Sequence, residues 1–237
     1  MCLCGCILLL DIAEKIGQQC NYSDVFLPQY RLLPENKFVD ALHDVVQAYE
    51  YLVTIRGVHP EDITLFGISS GGGLCVRLMQ RIAEYRRIAA KDKDAKVNPL
   101  LELMPSGAVL MCPFVDYTIP PGSFREYTKH DLIVNDSVME EGLPYFATQG
   151  DADFLRSNSP VYRPLDGLPP LCIVVSEHEA CYDQIVLLCN NARAAGVEVD
   201  LGVWKYMCHV FSVLTFIPEA QDSVDFMCEW IKENSIK

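Results

Sequence analysis

Residues 65–74 read LFGISSGGGL, which sets Ser69 between Gly67 and Gly71 in the spacing G-x-S-x-G. A serine hydroxyl is a poor nucleophile at neutral pH unless a turn holds it clear of the backbone and a base takes its proton. In this spacing the glycines permit a turn too tight for a Cβ, and the serine rides at its tip. If a helix starts directly after, its unpaired N–H groups and positive dipole end face whatever charge develops there. The chemistry implied is nucleophilic acyl transfer. A glycine-rich helix start also serves without chemistry, or as a phosphate cradle. A Walker loop, however, needs G-x-x-x-x-G-K-[ST], and no lysine follows these glycines.

The nucleophile needs a base, and the base an orienting acid, in the chain order serine, acid, histidine with the latter two on loops after later strands. Of the 5 histidines, His43 falls within an amphipathic helical pattern, His59 precedes Pro60 in a turn, and His130 lies in a proline-rich segment. His209, in KYMCHVFSVL, follows a strand-like run and precedes a helical one, and is the natural base. The apolar run LCIVV leads into SEHEACYDQ, which offers Glu177, Glu179 and Asp183. Glu179 has the best loop position. Asp183 begins the next helix and is the secondary candidate, and Glu177 stays close to the strand. Each is otherwise explained as a solvated charge or a carboxylate at a helix start. A metal set from Glu177, His178, Glu179 and His209 lacks any recognisable ligand spacing, so neither metal nor organic cofactor is expected.

The elements that must position these residues follow from periodicity. Ile63, Thr64, Leu65 and Phe66 form a strand ahead of Ser69, and Leu74, Leu78, Met79 and Ile82 recur at helical spacing after it. Residues 36–53 carry Val39, Leu42, Val45, Val46, Tyr49 and Leu52 on one helical face. Residues 107–112, 171–175 and 197–204 read as strands, 183–196 as a helix closed by Gly196, and 221–233 as a further helix. Strands alternating with helices predict an α/β fold, a mostly parallel sheet with helices on both faces. Residues 113–170 are rich in proline and aromatic residues and read as an insertion over the strand ends, with one helix near 135–146. AAKDKDAKVN, from Ala89, reads as a charged, solvated loop.

Composition limits the partners. The chain has 237 residues, 50% of them hydrophobic, enough for a single domain spanning 1–237. With 19 Lys and Arg against 32 Asp and Glu, the formal charge of −13 repels nucleic acid and anionic membranes. The 11 cysteines are scattered through strand and helix patterns like buried small hydrophobes, so no disulfide framework is expected. MCLCGCILLL, with Cys2, Cys4 and Cys6 alternating, has no basic n-region and no zinc-like partner pair, and reads as a plain strand or helix start. With no signal or membrane span in the pattern, a cytoplasmic protein is expected.

With these motifs in place, the chain resembles the hormone-sensitive-lipase-like branch of the α/β-hydrolases, which includes arylacetamide deacetylase relatives and carboxylesterase-like proteins. The resemblance runs from about Ile12 to the C-terminus. YRLLPENKFVDALHDVVQAYEYL is similar to the family's Y-R-L-A-P-E segment and following helix, GISSGGGL to its G-D-S-A-G-G elbow, and MCHVF to the H-x-F around its histidine. SPVYRPLDGLPPLCIVVSEHEACYDQ resembles the approach to its D-x-L-x-D acid motif, which puts Glu179 on the acid position and Asp183 on the second carboxylate. The resemblance implies a serine hydrolase of carboxylic esters working through Ser69, Glu179 and His209, and the Pro, Phe and Tyr residues of the insertion imply a small-molecule ester with an apolar acyl group.

The departures define the alternative. The family's H-G-G-G oxyanion motif has no counterpart upstream of Tyr30, which leaves the backbone N–H of Ser70 as the oxyanion donor the resemblance implies, and the family's first strands are expected to be missing with the motif. A loss of one oxyanion donor costs roughly 10² to 10³ in turnover, so a hydrolase-like binding or interaction protein, or a truncated isoform, is the competing reading. Missing strands would leave a sheet edge for a second copy or another partner to cover.

Overall fold

The computed structural model describes residues 14–15, 17–19, 24–91, 104–147 and 150–235. MCLCGCILLL and the charged stretch after Lys91 lie outside them. Four strands, β1 (Thr64–Ile68), β2 (Gly107–Met111), β3 (Leu171–Ser176) and β4 (Val199–Trp204), form one sheet in that spatial order. All three pairings are parallel, with Thr64 opposite Gly107, Ala108 opposite Leu171 and Leu171 opposite Val199. Every residue of β2 and β3 is buried, while β1 and β4 are mostly half-buried. The unbroken apolar runs GAVLM and LCIVV are therefore the two central strands, covered on both faces.

Because side chains alternate along a strand, each central strand feeds two cores. Ala108, Leu110, Leu171, Ile173 and Val175 join a cluster with Val76 and Met79 of α2 (Ser70–Lys91) and Ile185 and Leu188 of α6 (Tyr182–Ala194). Val109, Met111, Cys172 and Val174 face the other way, onto Val224, Met227 and Trp230 of α7 (Pro218–Ser235). The helix α1 (Phe38–Thr54) packs Tyr49 and Val53 against Leu78 and Ile82 of α2. Ahead of it, Arg31 forks Asp44 with bonds of 2.8 and 2.7 Å, fixing the YRLLPE segment to this helix.

Strand and helix bounds fall within a few residues of the periodic pattern, with two differences. Cys112, expected in the second strand, instead leaves it at φ 46. The proline-rich insertion holds three short helices instead of one: α3 (Ser123–Tyr127), α4 (Asp136–Ala147) and α5 (Ala152–Asn158). Asp151 starts α5 by accepting from Phe154 N at 2.8 Å, a cap that periodicity does not register. Among the described residues β1 has no strand partner on its outer edge, and no helix is long and apolar enough to cross a membrane. All four strands run the same way, so their carboxyl ends open on one side, where an α/β sheet places its ligands.

Candidate active site

Each strand delivers one element of the site. After β1 the chain turns at Ser69, whose φ of 52 is left-handed and strained for a residue with a Cβ. The turn is held from both sides: Ser69 N donates to Met111 O at 2.9 Å, and Ser69 O accepts from Phe114 N at 2.9 Å and from Gly73 N at 3.2 Å. A Cβ at Gly67 would stand 2.6 Å from Gly71 O and from Gly72 Cα, so only glycine fits there. Gly71 differs from the motif's rationale, since a Cβ there would meet only Tyr30 Oη at 4.0 Å. The crowded positions are instead Gly72, where a Cβ would lie 2.7 Å from Pro113 Cβ, and Gly73, where it would strike Phe114 O. These two let α2 begin flush against the chain leaving β2. Ser70 is the first residue of α2 and is exposed, which leaves its N–H at the positive end of the helix.

After β4 comes His209, 1% exposed, with Nε2 2.9 Å from Ser69 Oγ. After β3 comes Glu179, fully buried, with Oε1 3.5 Å from His209 Nδ1. That is ion-pair range and longer than a hydrogen bond, and neither carboxylate oxygen nor Nδ1 has a hydrogen-bond partner. Such contacts are often long before substrate binds and tighten afterwards. Burial opposes charging of the imidazole, but the Cys181 sulfur and the Glu179 carboxylate beside it outweigh burial, and His209 holds its proton well above the ordinary histidine range. Burial also raises the Cys181 thiol, which stays neutral, so the carboxylate is the charge that matters most.

Asp183 lies elsewhere. Its Oδ2 accepts from Ser123 N at 2.8 Å, its own N–H donates to Ser123 Oγ at 3.0 Å, and Ser123 Oγ donates to Ala180 O at 2.9 Å. The secondary acid thus clamps the first insertion helix to the Glu179 loop, and Gly122, at φ 110, makes room for it because a Cβ there would strike Asp183 Oδ2. The four-residue metal set does not converge either. His178 Nδ1 faces Glu177 at 3.6 Å and accepts from Tyr206 N at 3.3 Å. His43 sits on α1, His59 precedes a single helical turn, and His130 follows α3.

Three residues at the site escape the sequence pattern. Asp131, 4% exposed, accepts from His209 N at 2.9 Å with Oδ2, and from Ile133 N and Val134 N at 2.8 and 3.0 Å with Oδ1. Ser176 Oγ donates to Met207 O at 2.7 Å and accepts from Met207 N and His178 N at 3.2 Å, tying the acid loop to the histidine loop. Cys112 lies against Glu179 and beside His209, its thiol raised well above the ordinary range by burial and by the Glu179 carboxylate. Only Asp131 carries a local signal, an aspartate two residues before an N–H it accepts.

The insertion carries an open cavity of about 620 Å³ whose lining is half apolar, from Tyr117, Ile119, Pro120, Phe124, Met139 and Leu155, and half polar, and to which none of Ser69, Glu179 and His209 contributes. Phe124 packs on Phe114 with ring centroids 6.3 Å apart, and Phe114 N holds the Ser69 carbonyl.

Comparison with known proteins gives a consistent set. Residues 11–213 match the sequence profile of a family described by its α/β hydrolase fold. An esterase of Acinetobacter venetianus is 28% identical over 94% of this chain and 67% of its own length. The carboxylesterase/phospholipase LipF of Mycobacterium tuberculosis is 30% identical over 89% of this chain and 54% of its own. Among solved structures, a hormone-sensitive lipase from a metagenome library is 32% identical with a TM-score of 0.70, covering 88% of this chain and 65% of that one. An esterase from the bacterial hormone-sensitive lipase family is 30% identical with a TM-score of 0.77, covering 95% and 70%. The chain thus spans between about half and seven tenths of the length of these proteins.

Proposed function

Because the chain belongs to the α/β-hydrolase family, in its hormone-sensitive-lipase-like branch, we propose that it hydrolyses carboxylic esters, with Ser69 as nucleophile, His209 as base and Glu179 as the acid that orients it. The observation that carries this reading is the 2.9 Å approach of His209 Nε2 to Ser69 Oγ at a strained elbow. Ser69 Oγ attacks the acyl carbon while its proton passes to Nε2. The tetrahedral oxyanion faces the N–H of Ser70 at the start of α2, and collapse expels the alcohol, which takes the proton from Nε2. Water then repeats the sequence on the acyl-enzyme and returns Ser69. Glu179 stabilises the imidazolium formed in each half.

The apolar half of the cavity lining, next to the Ser69 turn through Phe124 and Phe114, supports a substrate with an apolar acyl group. The edge of β1, which has no strand partner among the described residues, supports pairing with a second copy or another strand. Seven free cysteines among the described residues support a reducing compartment such as the cytoplasm. Hydrolysis of p-nitrophenyl butyrate tests the reading: Ser69→Ala abolishes turnover if it holds, and unchanged turnover refutes it. The 3.5 Å separation of Glu179 and His209 favours one other reading, ligand binding without turnover. That reading requires binding in the cavity to survive Ser69→Ala in a wild-type background that is itself inert.

A further inference from the structure

The acid and the base share their buried space with a third group that ester hydrolysis does not use. Cys112 turns off β2 at φ 46 and its sulfur accepts from Val210 N at 3.3 Å, next to His209. One donor atom each from Cys112, Glu179 and His209 lie within 4.8 Å of one another. All three residues are at most 1% exposed. Nδ1 and both carboxylate oxygens have no hydrogen-bond partner, so the space between them is lined by buried polar atoms with unused capacity.

A thiolate sulfur, an imidazole nitrogen and a carboxylate oxygen are the donors zinc takes, at about 2.3, 2.0–2.1 and 2.0–2.2 Å. Tetrahedral donors at those lengths stand roughly 3.3–3.8 Å apart, so an inward movement of about 1 Å closes the set. The residues arrive from three different loops, after β2, β3 and β4, which explains why no ligand spacing is visible along the chain. Ser69, on the Nε2 side of the imidazole, is half-buried and its neighbour Ser70 is exposed.

We propose that Cys112 Sγ, a Glu179 carboxylate oxygen and His209 Nδ1 form an inhibitory zinc site within the catalytic centre, with water as fourth ligand. Binding breaks the Cys112 S–H bond and the His209 Nδ1–H bond and releases both protons to solvent, while the imidazole keeps its proton on Nε2. Three protein-to-zinc bonds form, and no oxidation state changes. A neutral imidazole bound through Nδ1 carries its proton on Nε2, so it cannot accept the proton of Ser69. Zinc also occupies the place of the Glu179 contact. Occupancy of the site therefore switches the base off without touching the nucleophile.

The inhibition rests on the ester-hydrolysis reading; the binding does not, and the test separates them. The purified 237-residue chain, stripped of metal, is titrated with cobalt(II) chloride while thiolate-to-cobalt absorption is followed, and with zinc chloride during p-nitrophenyl butyrate hydrolysis. The expected result is a cobalt–thiolate band at one equivalent that Cys112→Ser lacks. Zinc then inhibits the wild type and EDTA reverses it, while Cys112→Ser, measured against its own zinc-free rate, shows zinc sensitivity reduced more than about tenfold, since even outer-sphere partners alter metal affinity on that scale. Cys112→Ala serves if Cys112→Ser does not fold. A wild-type chain that folds but shows no cobalt–thiolate band overturns the site, as does a band or inhibition unchanged in the cysteine variant. A cobalt band in a chain without turnover supports the site and counts only against the ester reading.

Discussion

Replacing Asp131 by asparagine tests how the base is held. The buried carboxylate accepts three backbone N–H groups, two on Oδ1 from its own loop and one on Oδ2 from His209. In Asp131→Asn the side chain retains its shape and can keep the two local bonds through the amide oxygen, but the NH2 group then faces His209 N–H, donor against donor. A buried donor left unpaired costs about 1–3 kcal/mol, so a loss of about that size in unfolding free energy is expected. Stability of about 5–15 kcal/mol leaves the variant folded. Its histidine loop, no longer pinned, lets Nε2 drift from the 2.9 Å approach to Ser69 Oγ. A misplacement near 1 Å costs up to about 10²-fold in rate, so kcat for p-nitrophenyl butyrate should fall about 10- to 100-fold with KM little changed. Urea unfolding and steady-state kinetics measure both effects. A variant within about 0.5 kcal/mol of wild type and with unchanged kcat would show that Asp131 does not position the base.

Gly67→Ala places a Cβ 2.6 Å from backbone atoms that cannot swing aside, and overpacking of this kind costs about 1–3 kcal/mol; it should lower the melting temperature and slow labelling of Ser69, whereas Gly71→Ala, facing open space, should do neither to the same degree. Because the base must be neutral and His209 holds its proton above the ordinary range, kcat/KM should rise with pH through a midpoint above about 6.5, the ordinary histidine value; a midpoint below that value contradicts the Glu179 assignment. The sign for stability is the reverse: the raised pKa contributes fully below the unfolded value and is lost as pH climbs through the folded one, so wild type should lose more stability over that window than Glu179→Gln.

What the sequence made legible is what short-range physics determines. GISSGGG announces its turn because glycine spacing and a strand-to-helix change coincide within a few residues, and GAVLM and LCIVV announce central strands by being apolar throughout. His209 and Glu179 were placed from their positions just after strand-like runs, and the sheet brings those loops to one end. Asp131 was not legible, because the N–H it accepts lies 78 residues away and only the packing of the insertion on the histidine loop joins them. Asp183 looked like a second acid by position along the chain, but the turn between it and Glu179 aims its carboxylate at Ser123. Cys112 looked like one more buried strand cysteine until its left-handed turn set it beside the acid and base. The crowding falls on Gly72 and Gly73 rather than Gly71, because it depends on Pro113 and Phe114 arriving from the next strand.

The most direct test of the account is covalent labelling with a fluorophosphonate probe, which reacts only with a serine that its own histidine activates. Wild type, Ser69→Ala and His209→Ala would be labelled side by side and the modified residue located by mass spectrometry of peptides. The account predicts phosphonylation of Ser69 in the wild type and none in either variant. A folded wild-type chain that resists the probe, or is labelled equally without His209, would contradict it.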